Sequence, residues 1–173
     1  MSVATLMVSS PVGTLKLTSD GHCLTGLSFT DVASPSVADV AVLSPADTDA
    51  EDRVLAETRR QLAAYFSGHL RDFDVAIKPV GSPFQLRVWD QLLKIPYGTT
   101  VSYGDIAARL GMPLSASRAV GLANGANPVA ILVPCHRVIG SNGSLVGYGG
   151  GLPRKRFLLS LESPTVQDGL FDA

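Results

Sequence analysis

Apolar and polar positions alternate through the first thirty residues. Thr5 to Ser9 is a short run followed by the turn signal Pro11-Val12-Gly13. Thr14 to Ser19 alternates through Leu15 and Leu17, Asp20-Gly21 marks a hairpin, and Cys23 to Phe29 is the returning strand. The pattern predicts an antiparallel meander with one buried face. Asp31 to Asp49 is rich in Ala, Ser, Pro and Asp, sustains no period, and reads as a long surface loop. From Glu51 the period becomes helical, with Val54, Leu55, Thr58, Leu62, Tyr65 and Phe66 on one stripe. Glu51 and Asp52 suit the positive end of the helix dipole, and Gly68 stops the helix. Phe73 to Lys78 alternates again and predicts a strand with Phe73, Val75 and Ile77 on one side.

Pro79 to Pro83 marks a domain boundary, which gives an N-terminal α/β domain over 1–80, a second domain over 81–165 and a frayed tail over 166–173. Ser82 is an N-cap, with Pro83 at the first helical position and Gln85 at the third. That helix carries Phe84, Val88, Trp89, Leu92 and Leu93 and ends before Pro96-Tyr97-Gly98. Ser102 to Leu110 is a short helix with Ile106, Ala107 and Leu110 inward, broken by Gly111-Met112-Pro113. Ser115 caps a second helix through Arg118, Ala119, Val120, Leu122 and Ala123 to Gly125. Two short helices around a Gly-containing turn form a helix-turn-helix pattern. The second helix is built of small residues with one arginine, Arg118, and one asparagine, Asn124. Small side chains allow close approach to a flat surface, yet helix pairs of this kind are also common in cores, so the pattern alone does not establish DNA binding.

Composition narrows the classes. The chain has 173 residues, enough for one domain or two small ones, with 46% hydrophobic and only 17% charged. This excludes a charge-extended disordered chain. No apolar stretch approaches the ~20 residues of a membrane helix. No basic segment followed by an apolar one opens the chain, so a cytoplasmic protein is expected. Lys and Arg number 14 against 15 Asp and Glu, which excludes a globally basic nucleic-acid binder and leaves a locally basic face open. The two cysteines, Cys23 and Cys135, make no disulfide scaffold and no C-x-x-C pair. The N-terminal part offers a metal only His22, Cys23 and His69, so no metal site is expected there.

The candidate chemistry lies around Cys135. The apolar run Val129 to Val133 predicts a buried, extended segment that delivers Pro134-Cys135-His136-Arg137. Burial alone quenches a thiol, because the thiolate is the nucleophile. An imidazole that takes the proton and a carboxylate that holds the imidazolium restore reactivity. Neighbours on a strand point to opposite faces, so His136 reaches the thiol through a turn or a water. Glu162, at the end of the last helix, is the candidate carboxylate. The competing reading is a small buried hydrophobe beside a structural histidine, and for Cys23, which lacks such neighbours, that reading holds. A hairpin is expected at Ser141-Asn142-Gly143. The run Gly147-Tyr148-Gly149-Gly150-Gly151 lacks the Lys-Ser/Thr of a P-loop and reads as backbone approaching a flat ligand, with Tyr148 as one wall. Pro153 opens the last helix. The cluster Arg154, Lys155 and Arg156 reads as a solvated face or a phosphate contact.

Pro134-Cys135-His136-Arg137-Val138-Ile139 resembles the active-site motif of the O6-alkylguanine-DNA alkyltransferases. The likeness extends in order over residues 81–162, through Phe84 to Trp89, Ile95-Pro96-Tyr97-Gly98, Ser102-Tyr103, Arg118 to Gly121, Asn127-Pro128, Tyr148 and Glu162. The resemblance implies an α+β protein, with an antiparallel-sheet, RNase H-like N-terminal domain and a mostly helical winged-helix or helix-turn-helix C-terminal domain. It implies a monomer that acts without cofactor, metal or membrane on double-stranded DNA containing O6-alkylguanine. The base is flipped out and its alkyl group moves once to Cys135. By the resemblance His136 draws off the thiol proton through a water and Glu162 orients His136. Tyr103 helps rotate the nucleotide and gives a proton to the departing guanine. Arg118 fills the gap left in the duplex, and Ser102, Ala119, Gly121 and Asn124 line the DNA-binding surface. Asn127 ties the helix-turn-helix to the active-site turn, and Val138, Tyr148 and Gly149 line the pocket. Gly149 stands where some animal members carry serine. Two other classes remain open: a non-catalytic DNA-damage-binding or regulatory protein, and a thiol hydrolase built on Cys135, His136 and Glu162.

Overall fold

The computed structural model describes residues 3–30 and 52–163. The loop expected over Asp31 to Asp49, the helix-start residue Glu51 and the tail expected over 166–173 lie outside the described residues. The chain divides into two compact units, Met1–Pro79 and Val80–Ala173.

In the first unit, β1 (Ala4–Val8), β2 (Leu15–Ser19) and β3 (Leu24–Phe29) form an antiparallel sheet in that order. Leu6 pairs with Leu17 and Leu17 with Leu27, so the alternation places the leucines on one buried face. The β2–β3 turn is drawn tight by Asp20, whose Oδ1 accepts from His22 N at 2.9 Å and Cys23 N at 2.8 Å, with Gly21 at φ +92°. Helix α1 (Arg53–Phe66) is capped by Asp52, which accepts from Val54 N at 2.9 Å and Leu55 N at 3.2 Å. It buries Leu55, Thr58, Leu62 and Tyr65, and also Gln61. Phe73 to Lys78 does not form the expected strand. It makes one bridge, Ile77 to Leu24, with Leu24 N donating to Ala76 O at 2.8 Å and Lys78 N to Leu24 O at 2.9 Å. The reason is local. The buried Gln61 amide binds both backbone groups of Asp74, at 3.0 and 2.8 Å, and takes the positions a longer ladder would have used.

In the second unit, α2 (Pro83–Leu92) opens with a capping box between Ser82 and Gln85. It buries Val88, Trp89 and Leu92, whereas Leu93, one residue past the helix, is 47% exposed rather than in the core. Strand β4 (Val101–Ser102) lies parallel to β5 (Val138–Ile139), which places the start of α3 (Tyr103–Arg109) beside the residues after Cys135. Ser102 caps α3 in a second capping box with Asp105. Gly111, at φ +70°, turns the chain into a 3-10 turn (Leu114–Ala116) and then α4 (Ser117–Gly125). Ser115 is not the cap. The 3-10 turn feeds the helix directly, and Ser117 Oγ donates back to Leu114 O at 2.6 Å. Trp89 Nε1 donates to Ala123 O at 2.8 Å, both groups buried, and so ties α2 to α4. At Ser141-Asn142-Gly143 the chain turns, with Gly140 N donating to Ser144 O at 2.9 Å, but no returning strand follows. Helix α5 (Leu152–Glu162) closes the unit.

Candidate active site

The segment before the thiol is buried, as its composition requires, but it is not extended. Val129 to Val133 doubles back in a tight turn centred on Ile131, at φ +71°, the one non-glycine residue with positive φ among the described residues. Leu132 N donates to Ala130 O at 2.8 Å and Val133 N to Val129 O at 3.0 Å. A β-branched residue in this region is strained and persists only where its surroundings hold it. Asn127 does the holding. Its Nδ2 donates to Val133 O at 2.8 Å and its Oδ1 accepts from Val129 N at 3.0 Å, clamping both ends of the turn. The sequence reading took the apolar run for a strand because burial is visible in composition and a left-handed isoleucine is not.

The turn delivers Cys135–Arg137 as a single 3-10 turn, all three residues buried. Cys135 and His136 therefore do not alternate across a strand. Burial pushes the Cys135 thiol up, opposed by the Asn127 amide, the Lys155 charge and the Tyr148 hydroxyl. The thiol rests protonated and needs a base. His136 has no solvent exposure, and its Nε2 lies 2.8 Å from Glu162 Oε1. Burial pulls the imidazole down, with Glu162 opposing, while hydrogen bonds from His136 and Arg137 overcome burial and hold Glu162 well below the ordinary carboxyl range. The pair is thus neutral imidazole and carboxylate. A carboxylate only accepts, so Nε2 carries the proton and Nδ1 presents its lone pair. Nδ1 is buried and has no protein hydrogen-bond partner, which suits it to receive a proton.

Two residues in the site escaped the sequence reading. Arg137 is 7% exposed, and its Nε and Nη2 bind the two Glu162 oxygens at 2.9 and 2.8 Å while Nη1 donates to Ile95 O at 2.7 Å. This fork fixes the carboxylate in the plane His136 requires. Lys155 belongs to the Arg154-Lys155-Arg156 cluster that reads from sequence as solvated or phosphate-facing, but it has no exposure at all. It shares a stripe with Leu158, Leu159 and Glu162, and that helical spacing was the signal that could have placed it inward.

The remaining expected residues divide into two groups. Tyr103, at the start of α3, donates its hydroxyl to Val146 O at 2.7 Å, and burial together with Cys135 pushes that hydroxyl up. Tyr148 is pushed up further, again by burial and then by Cys135, so both tyrosines border the thiol as neutral phenols. Val138 is fully buried behind them. Gly149 is exposed, and a Cβ there would meet Gly125 O at 3.4 Å, an ordinary contact. Arg118 and Ala119 are exposed on α4, and a Cβ on Gly121 would lie 3.7 Å from the Tyr103 ring. Ser102 is half-buried with its hydroxyl occupied in the α3 cap. Asn124, expected on the DNA-binding surface, faces the other way. It is 2% exposed, one helical turn beyond Val120, and its Nδ2 donates to Cys135 O at 3.3 Å. It supports the active-site turn from behind.

Among the described residues no helix is long and apolar enough to cross a membrane, and no group of three or more His, Cys, Asp or Glu could hold a metal.

Residues 83–164 match the DNA-binding domain of 6-O-methylguanine DNA methyltransferases, and residues 3–79 match the ribonuclease-like domain of the same family. A methylated-DNA–protein-cysteine methyltransferase from Mycobacterium leprae is 49% identical over 164 residues, covering 94% of each chain. The crystal structure of the Mycobacterium tuberculosis O6-methylguanine methyltransferase is 46% identical, superposes with a TM-score of 0.79 and covers 98% of each chain. A structure of the M. tuberculosis protein in complex with DNA superposes with a TM-score of 0.77 over 92% of each chain. With both halves matched in order and the thiol, imidazole and carboxylate assembled in one buried site, this chain belongs to the 6-O-methylguanine DNA methyltransferase family.

Proposed function

We propose that the protein repairs DNA directly, as a monomer, by moving the alkyl group of O6-alkylguanine in a duplex onto Cys135 in a single turnover. The observation that carries this reading is the buried Cys135 beside a neutral His136 whose Nδ1 is open and whose Nε2 is bound by the Glu162 carboxylate. His136 takes the thiol proton through one water, and Glu162 stabilises the imidazolium that results. The sulfur forms its bond to the alkyl carbon as the carbon–O6 bond breaks, and the electron pair of that bond stays on the guanine. Tyr103 gives the guanine a proton, and the imidazolium proton returns to Tyr103 through solvent, so the proton lost by Cys135 ends on the repaired base. The product is a thioether, which water does not cleave, so each molecule acts once.

A duplex hides O6, so the base is extruded. The small residues Ala119 and Gly121 let α4 lie close to the minor groove, and exposed Arg118 occupies the gap in the stack. Arg118→Ala is therefore expected to slow transfer from duplex DNA at least tenfold more than transfer from a free O6-substituted guanine, an effect of ~1.4 kcal/mol or more. Single-turnover rates on the two substrates measure it, and equal losses would remove Arg118 from flipping.

Incubation with a duplex carrying O6-methylguanine, followed by intact and peptide mass spectrometry, tests the whole reading. One methyl group per protein, on the Cys135 peptide, is the expected result. A folded protein that binds the duplex without acquiring a methyl group would point to damage binding, and repeated turnover of an ester would point to a thiol hydrolase.

A further inference from the structure

Lys155 is a buried cation that the transfer chemistry above does not employ. It precedes Glu162 by two turns of α5 and shares its inward face. An ammonium is costly to bury without partners. Its Nζ donates to Val146 O at 3.2 Å and to Gly147 O at 3.4 Å, and lies 5.9 and 6.0 Å from the ring centroids of Tyr103 and Tyr148. All four partners are neutral. The titratable groups it interacts with are Tyr103 from α3 and Tyr148 from the glycine-rich loop, by their rings, and Cys135 and His136 on the active-site turn, by charge; Glu162 lies two turns further along α5. Burial keeps both tyrosines protonated. Glu162 is committed to Arg137 and His136. That leaves the Cys135 thiol as the group near the amine that acquires a negative charge during the reaction.

We propose that Lys155 is the counter-cation of the Cys135 thiolate, a positioning residue that holds a positive charge at the pocket wall and lets the buried thiol ionise. The inference deepens the acceptor role of Cys135 and rests on it. Once His136 has taken the thiol proton, the imidazolium and the Arg137 guanidinium against the one Glu162 carboxylate leave a single positive charge for the sulfur, and that charge stays hydrogen-bonded to the carboxylate; Lys155 adds a cation at the pocket wall. The two carbonyls of the 146–147 loop keep the ammonium beside the pocket in both states of the thiol. The interaction is mutual: the Lys155 charge favours the thiolate, and the thiolate favours the ammonium against the burial that pulls it down to about 8. The amine is therefore charged at neutral pH. On transfer the thiolate becomes a neutral thioether, and the amine loses its partner.

The test uses Lys155→Met, which keeps length and removes charge, and Lys155→Arg, which keeps charge, both in a Cys23→Ser background so that one thiol reports. The rate of Cys135 alkylation by iodoacetamide is followed against pH. In Lys155→Met the midpoint is expected to rise by about one unit, and transfer from duplex O6-methylguanine at pH 7 to fall about tenfold. Lys155→Arg is expected to restore most of the midpoint. A uniform loss of rate with the midpoint unmoved would overturn the inference and leave Lys155 a packing residue. Should Lys155→Met not fold, the unsubstituted protein labelled with 13C in cysteine and lysine supplies the answer. Coupled groups share their macroscopic titration steps, so the Cys135 and Lys155 resonances should follow the same two-step curve. Independent single-step curves would overturn the inference. The thiol titration needs no DNA. A shifted midpoint in a protein that takes no methyl from the duplex would sink the acceptor reading alone, and normal transfer with an unmoved midpoint would sink the counter-cation alone.

Discussion

Cys135→Ala is expected to abolish alkyl transfer while leaving binding to an O6-methylguanine duplex within about threefold of the parent protein. Cys135 is 5% exposed. Its substitution therefore removes the nucleophile without altering the exposed face of α4 that carries Arg118 and Ala119. Cys135 is the one cysteine of this unit. Cys23 lies in the other unit, just before β3, and the hydroxyls of Tyr103 and Tyr148 are held protonated by burial. Loss of one sulfur from a packed site costs about 1 kcal/mol of stability, too little to unfold a domain of ordinary stability. Radiolabelled methyl transfer and fluorescence anisotropy on the same duplex separate the two properties. Label on the Cys135→Ala protein would refute the acceptor assignment, and loss of binding together with transfer would mean that the thiol supports the DNA surface.

Glu162→Gln is expected to cost both activity and stability. The carboxylate receives four hydrogen bonds, two from Arg137, one from His136 and a longer one from Gly98 N at 3.4 Å. Glutamine keeps the shape and removes the charge, leaving the Arg137 guanidinium, 8% exposed, without a counter-ion. Breaking a buried pair from one side costs ~3–5 kcal/mol. Transfer should fall by ~100-fold or more, since the imidazolium loses the group that stabilises it. The pH dependence carries a clear sign. Glu162 titrates lower in the folded protein than in the unfolded chain, so its contribution is complete above the unfolded value of ~4.3 and is lost as pH falls toward the folded value. His136 is also held below its unfolded value of ~6.5, so the unfolded chain takes up that proton first and stability already declines below that pH. Denaturant melts from pH 7 to 3 should show the parent protein losing stability in both ranges, with the lower decline shallower in Glu162→Gln, where Asp20 and Glu57, also held below the ordinary carboxyl range by hydrogen bonds, still contribute. An identical slope below pH 4 in both proteins would show that Glu162 is not the group responsible.

Much of this site is legible in the chain itself. The strands and turn of the first unit follow from alternation and from Asp20, the start of α1 from Asp52 and that of α2 in the second unit from Ser82, because each is a local decision between neighbouring residues. The thiol, imidazole and carboxylate are recognisable because reactive groups are rare in a chain with two cysteines and three histidines. Two departures from the pattern arise where a side-chain amide binds the backbone and overrides its own preference. Ile131 takes a left-handed turn because the Asn127 amide clamps it. Residues 73–78 stop at one bridge because Gln61 binds Asp74. Lys155 and Asn124 are different, since their inward positions were available from helical spacing. Polar character was allowed to outweigh periodicity, yet an active site is where buried polar side chains are expected.

The carboxylate that activates the thiol stands in the last turn of α5, 26 residues after the histidine it serves. That placement has a consequence for a protein that can react only once. A molecule cut just before Glu162 keeps Cys135 and His136, but the imidazole has no carboxylate and Arg137 no counter-ion. Loss of the last turn of α5 alone therefore removes the activating group while the thiol itself remains in the chain.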